Sequence, residues 1–454
     1  MFRLSAICVA TLLLAPAAFA QDTPRVDTVA QAPTLDAAAR AQVIDALVRH
    51  LNDYYVFPDV AAKIEVALRD KQKRGAYDGL VRRQDFAEAL TADVRAAGND
   101  LHLGVRASDT PMAPEPARDK TGPAPDEARM LARMKELNYG LGGIEKLPGN
   151  IGYLEVRGFV PVKHAEQALT AAMTQLADCD ALIVDLRRNG GGDPAGVAFL
   201  TSYLFDQRTH LNDLHWREGN RTEEFWTRAD VPGKKFGQQK PVYVLTSSKT
   251  FSGGEEFSNN LKVLQRATLV GETTGGGANP GRGHQLTPYF SAFIPNGRAI
   301  NPITKTSWEH TGVAPDVKVA ASDALAVAQK MALEKLAAAA SDPQHAKSLR
   351  ATAAALGSPV RADSQVIKVA PAVLDGYIGR YQVSPKMIID ITRDGDRLYG
   401  QAQGQPVMEL FAKSDTEFFV REVDAQVRFN KADDGSPQLV LIQNGRNMPG
   451  KKLN

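Results

Sequence analysis

Residues 241–257 read Pro-Val-Tyr-Val-Leu-Thr-Ser-Ser-Lys-Thr-Phe-Ser252-Gly253-Gly-Glu-Glu-Phe: an apolar run, a tight Ser-Gly-Gly turn and the start of a helix. This pattern lifts a serine onto a helix N-terminus, beside free backbone N–H groups that could hold a developing oxyanion. The same residues spell a capping box, Ser252-x-x-Glu255, and a serine ahead of a helix is most often its N-cap. Thr250 stands where a Gly-x-Ser-x-Gly elbow has its first glycine. Taken alone, the turn leaves nucleophile and cap both open.

A second loop, Val184-Asp185-Leu186-Arg187-Arg188-Asn189-Gly190-Gly191-Gly192-Asp193-Pro194, follows another apolar run. Consecutive glycines let a backbone approach a ligand closely and turn N–H groups toward it. The loop lacks the Gly-Lys-Ser/Thr ending of a phosphate loop and the Gly-x-Gly-x-x-Gly spacing of a dinucleotide loop, which leaves a substrate cradle or a plain turn. No metal centre is expected. His210, Asp213 and His215 lack an i,i+4 histidine pair, there is no His-Glu-x-x-His, and Cys179 has no second thiol once Cys8 leaves with the leader described below. No cofactor is expected either.

The elements that must position these loops can be read from periodicity. From Ile151, short apolar runs (152–156, 181–186, 242–246) alternate with helical stretches near 164–177, 194–204 and 254–264. Strand–helix alternation with continuous runs such as Leu182-Ile183-Val184 predicts parallel strands buried on both faces of an α/β core. Ahead of it, Val43, Ile44, Leu47, Val48 and Leu51 mark a helix capped by Asp36, and two further helices are expected near 59–74 and 84–97. After a helix at 322–340, the tail shows alternating strand patterns at 387–392, 397–401, 417–420, 426–430 and 438–443, separated by Asp-Gly and Gly-Ser turns, a small antiparallel β-barrel or sandwich. The expected organisation is a helical unit at 36–106, a connecting segment at 107–150, a catalytic core at 151–340, a linker at 341–368 and a β domain at 369–454.

Residues 1–20 carry Arg3, an apolar run from Ile7 to Leu14 and an Ala18-Phe19-Ala20 ending, the pattern of a cleaved secretory signal. No later stretch reaches the length of a membrane helix, so the mature chain is expected to be exported, periplasmic or secreted. Across 454 residues, 54 Lys and Arg balance 52 Asp and Glu, so no field attracts polyanions and nucleic acid is excluded as a partner.

Four stretches in this order resemble the C-terminal processing (tail-specific) serine peptidases, and more closely the branch with the tricorn protease core and interphotoreceptor retinoid-binding protein. They are Asp185-Leu186-Arg187 with Asn189–Gly192, Thr246–Glu255, Gly271-Glu-Thr-Thr-Gly-Gly-Gly277, and Trp308-Glu309-His-Thr-Gly-Val-Ala-Pro-Asp316. The resemblance covers about 40–340 and implies a crotonase-like ββα core, with the active site between that core and the N-terminal helices. It makes Ser252 the nucleophile, His102 of Asn-Asp-Leu-His the base and Glu309 the orienting acid, with a peptide or protein as substrate. Gly253 and an amide from Gly190, Gly191 or Gly192 would meet the oxyanion. His284 and His310 are the rival bases.

The chain also departs from the family. Position 277, where the tail-specific branch has its catalytic lysine, is glycine, and Lys262 and Lys305 fall at other spacings. Residues 103–150 are too few for the branch's PDZ domain, and Leu101 precedes the histidine where glycine is common. The same resemblance offers an alternative, a non-catalytic carrier of retinoid or lipid. Tyr381, Tyr399, Phe411, Phe418 and Phe419 in the tail are expected to be core rather than a ligand surface.

Overall fold

Three amphipathic helices open the described chain: α1 (Ala37–Tyr54), α2 (Pro58–Lys73) and α3 (Arg83–Gly98). The Asp36 carboxylate caps α1 by accepting from the Ala39 N–H at 2.7 Å. Val43, Ile44, Leu47, Val48 and Leu51 are buried on one face of α1, and Phe86, Leu90 and Val94 on one face of α3. Asn99, left-handed at φ 49°, ends α3, and the chain passes through His102 into strand β1 (Gly104–Ala107). The computed structural model describes residues 35–112, 125–356 and 366–453, apart from 385–386, 404, 406, 421–424, 432–436 and 444–445. The leader expected at 1–20 lies outside them.

Next come α4 (Pro125–Glu136), β2 (Leu141–Leu147), β3 (Ile151–Val156), α5 (Val162–Leu176), β4 (Ala181–Asp185) and α6 (Pro194–Ser202). Then follow β5 (His210–Trp216), β6 (Arg221–Trp226), β7 (Val242–Thr246), α7 (Gly253–Val263), β8 (Thr268–Gly271), β9 (Gly281–Thr287), β10 (Phe290–Pro295), β11 (Gly297–Ile300) and β12 (Val317–Lys318). Helices α8 (Ala324–Ala339) and α9 (Pro343–Ala355) close this part. A six-stranded sheet runs in the order β12-β8-β7-β4-β3-β2, parallel except for the edge strand β2. Every residue of β3, β4 and β7 is buried. Alternate side chains serve opposite faces: Leu182 and Val184 pack with Phe199, Phe257 and Leu261 of α6 and α7, while Ala181 and Ile183 pack with Ala328 and Leu333 of α8.

Three expectations need correction. The segment 107–150 is no mere connection, because β2 pairs with β3 and belongs to the main sheet. The stretch 341–368 is not all linker: Asp342 accepts from the Gln344 and His345 N–H groups to start α9, and its buried Ala346, Leu349 and Ala353 recur at helical spacing. The N-terminal unit is not purely helical. The β9–β10 hairpin, from far along the chain, pairs with β1 in the register Gly104↔Phe293 to Ala107↔Phe290, and its Phe290, Ala292 and Ile294 complete the core of the three helices. This strand pairing anchors the loop that carries His102.

The tail begins with α10 (Pro371–Asp375) and continues as β13 (Gly379–Ser384), β14 (Met387–Asp394), β15 (Arg397–Ala402) and β16 (Met408–Ala412). Strands β17 (Glu417–Phe419), β18 (Ala425–Lys431), β19 (Pro437–Gln443) and β20 (Arg446–Leu453) close an eight-stranded antiparallel barrel. Tyr381 and Phe418 lie in its core; Tyr399, Phe411 and Phe419 are half-buried. The fold is thus mixed α/β with an antiparallel barrel appended.

Candidate active site

Ser252 stands where the parallel strand β7 turns into α7. Its backbone, at φ 52° and ψ −118°, is in a region that a residue with a side chain rarely occupies. Glu255 helps hold it there: its Oε2 accepts from the Ser252 N–H at 2.8 Å and from the Gly277 N–H at 2.9 Å. Oε1 of the same carboxylate accepts from the Thr274 hydroxyl and the Gly276 N–H, each at 2.6 Å. One buried side chain therefore ties the serine turn to the 274–277 loop. Burial pushes this carboxyl above its ordinary value, and the donated hydrogen bonds offset only part of that.

The triple-glycine loop presses on the other side of the turn. A Cβ on Gly191, which has φ 105°, would lie 2.7 Å from the Ser252 Cβ and 3.0 Å from the Gly253 nitrogen. Its N–H is already donated to Asn189 Oδ1 at 2.8 Å, and that of Gly190 to the Arg157 carbonyl at 3.4 Å. Among the described residues, the Gly192 and Gly253 N–H groups have no such acceptor, and both glycines line the cavity of about 1130 Å³ that contains Ser252. The available amide pair is therefore Gly192 with Gly253, not Gly190 or Gly191.

His102 lines the same cavity. Its ring packs between Phe251, centroids 4.6 Å apart, and Phe293, 6.1 Å away. Burial lowers its pKa; the Asp100 charge opposes this and Arg95 adds to it. Asp100, 1% exposed, accepts the His102 N–H through Oδ1 at 2.9 Å and stands 4.0 Å from His102 Nδ1. Its Oδ2 accepts from the Tyr55 hydroxyl at 3.1 Å and the Asn279 amide at 3.0 Å.

Glu309 follows Trp308, whose indole N–H donates to the Gly277 carbonyl at 2.8 Å. Glu309 Oε2 accepts from the Ala278 N–H, while Oε1 and His102 Nδ1 are both buried without a hydrogen-bond partner. The expected Glu309–His102 hydrogen bond is therefore not made, and the carboxylate charge acting on the imidazole is that of Asp100. Burial first, and then the Asp100 charge, push Glu309 up to about 8.

The rival bases are elsewhere. His284 stacks on Tyr54 at 4.5 Å, His310 is half exposed beside Glu309, and Lys262 pairs with Asp316 at 3.3 Å. Among the described residues, no lysine lines the Ser252 cavity.

A family model described as peptidase family S41 matches residues 150–319, and one described as the N-terminal domain of peptidase S41 in eukaryotic IRBP matches 30–138. The chain carries a peptidase S41 domain with that family's N-terminal domain ahead of it. This bears out the resemblance read from the motifs, and with it the class of the domain, a serine-type peptidase. Residues 363–452 match a domain of unknown function. Penicillin-binding protein 4* of Bacillus subtilis (strain 168) is 30% identical over 84 residues, 18% of this chain, and the chain spans only 19% of that relative's length. The photosystem II D1 C-terminal processing protease is 16% identical with a TM-score of 0.37, over 63% of this chain and 94% of its own. The tricorn protease is 14% identical with a TM-score of 0.43, over 70% of this chain and 37% of its own.

Sequence reasoning passes over Asp100, although it stands in the Asp-x-His string that points to His102. Tyr55 and Asn279 had no local signal, because both meet Asp100 only through tertiary contact. The raised Glu309 carboxyl has a measurable consequence. Between its ordinary 4.5 and about 8, the folded protein holds a proton that the unfolded chain releases, so this group's contribution to stability falls as pH rises through that window. The stability of Glu309→Gln relative to the parent, from urea unfolding, is expected to increase steadily between pH 5 and 8. A pH-independent difference would mean that Glu309 is ionised in the folded state.

Proposed function

We propose that this chain is an exported serine peptidase that cleaves peptide bonds through an acyl-enzyme on Ser252. The Ser252 hydroxyl attacks the carbonyl while the neutral His102 imidazole takes its proton and later returns it to the leaving amine. Asp100, 4.0 Å from Nδ1, positions the imidazole and its charge favours the imidazolium that forms; Glu309 keeps the role of orienting acid that the motif resemblance gives it. The Gly253 and Gly192 N–H groups receive the oxyanion, and a lost donor of this kind costs about 3 kcal/mol of transition-state stabilisation. This chemistry needs no cofactor.

The observation that carries this reading is a serine held at a strained strand-to-helix turn, sharing one cavity with a histidine and two unengaged amides. The α/β part over 151–340 is read as a crotonase-like catalytic core with the 36–106 unit closing its cleft, and the leader at 1–20 as the export signal. The test is covalent labelling with a fluorophosphonate. A single adduct on Ser252, located by mass spectrometry and not formed when the protein is unfolded before labelling, is expected. A folded protein that takes up no label would favour the carrier alternative.

A further inference from the structure

Glu256 lies four residues beyond Ser252 in α7 and lines the same cavity. It is 4% exposed, and its Oε1 is buried without a hydrogen-bond partner. The charge that bears on it is of its own sign, Asp193, which also lines the cavity. One turn further along α7, Asn260 has both side-chain polar atoms buried and unpartnered, while the Asn212 amide of β5 reaches the Glu256 carboxyl and offsets only part of the effect of burial, leaving Oε1 without a donor. A buried carboxyl without a cation is costly, and a purely structural position would be better filled by an apolar side chain. Apolar walls meanwhile approach from Leu214, Trp216, Phe225 and Ala299.

A long side chain with an aliphatic stem and a cationic tip matches this arrangement, because its methylenes suit the apolar walls and its tip supplies the missing donor. The cavity's own cations, Arg95 and Arg106, come from α3 and β1, on the His102 side, and Arg95 already donates to the Leu103 carbonyl at 2.8 Å. We propose that Glu256 forms the floor of a specificity subsite for a basic side chain, so that the bond cleaved is the one following lysine or arginine. This rests on the serine-peptidase reading and names its substrate class. Burial pushes the Glu256 carboxyl up to about 8, so the empty floor is protonated near neutral pH, and an arriving cation favours its ionisation.

The test measures the rate of fluorophosphonate labelling at Ser252 in the full chain, with benzamidine or n-butylamine added and with the uncharged benzamide or n-butanol as controls. The amines are expected to slow labelling at least about tenfold and the uncharged compounds to have little effect, as a site built for one polar group rejects its analogue. In Glu256→Gln, the ratio of rates with and without amine should return to one, and in Glu256→Asp it should fall between. Sites of cleavage in an unfolded protein mixture, read by mass spectrometry, should follow lysine or arginine. Equal protection by amines and uncharged analogues, or cleavage mainly after apolar residues, would overturn the proposal even if a variant failed to fold. Labelling without amine selectivity defeats this subsite alone; no labelling in any condition defeats the serine chemistry and this subsite with it.

Discussion

Ser252→Ala is expected to lower kcat for peptide hydrolysis by about 10⁴-fold or more, with the fold intact. The hydroxyl is the only group in this scheme that forms a bond to substrate, so its loss leaves binding and the amide pair but no acyl-enzyme. The fold should survive because Glu255 grips the Ser252 backbone N–H, which alanine keeps, and because the left-handed backbone costs alanine about what it costs serine. His102→Ala should lose a comparable factor, and the double variant little more, since the two side chains act as one unit. Progress curves on a fluorogenic peptide, with thermal unfolding as the control for folding, decide this. Turnover of Ser252→Ala within tenfold of the parent would place the nucleophile elsewhere.

The largest loss of stability is expected at the base of the glycine loop. Asp185 is buried at the end of β4, and its Oδ2 accepts from Arg187 Nη2 at 2.6 Å and from the Tyr153 hydroxyl at 2.7 Å. Burial pushes this carboxyl up, but the Arg187 charge and these hydrogen bonds outweigh it and hold Asp185 below its ordinary value. Arg187 also donates to the Ala321 carbonyl at 2.7 Å, ahead of α8, and its own carbonyl accepts from the Ser247 hydroxyl at 2.6 Å. Arg187→Leu would leave an uncompensated buried carboxylate, at a cost of about 3–5 kcal/mol in urea unfolding at neutral pH. Replacing both partners with leucine should recover much of that loss, because no charge is then stranded. Since the Asp185 pKa is depressed, the pair contributes at pH values above the ordinary carboxyl range and its contribution fades as pH falls through the depressed value. A destabilisation under 1 kcal/mol would mean that water reaches Asp185 once the guanidinium is gone.

The strands and helices of the α/β core were legible because their periodicity is local. Val242–Thr246 was read residue for residue, and helices α5 to α7 to within two residues at each end. The barrel was half legible. Strands β14, β15, β17, β18 and β19 announce themselves by alternation, whereas β13, β16 and β20 were passed over, and closure into a barrel depends on β13 meeting β20. The edge strand β2 and the β9–β10 hairpin were missed for the same reason: their partners lie far away in sequence or in another layer.

Residue types and spacing alone determined which hydroxyl, imidazole and carboxyl groups this chain could use, because a strand-turn-helix serine, a glycine run and the S41 motifs are written in contiguous residues. Only tertiary structure decided which amides remain free, which carboxylate faces the histidine and which carboxyl lines the cavity with an oxygen left without a donor. Gly191 loses its N–H to Asn189, Asp100 gathers Tyr55 and Asn279, and Glu256 Oε1 is left without a donor. Hydrogen-bond partners and burial are set by where distant segments pack, and no local pattern encodes that.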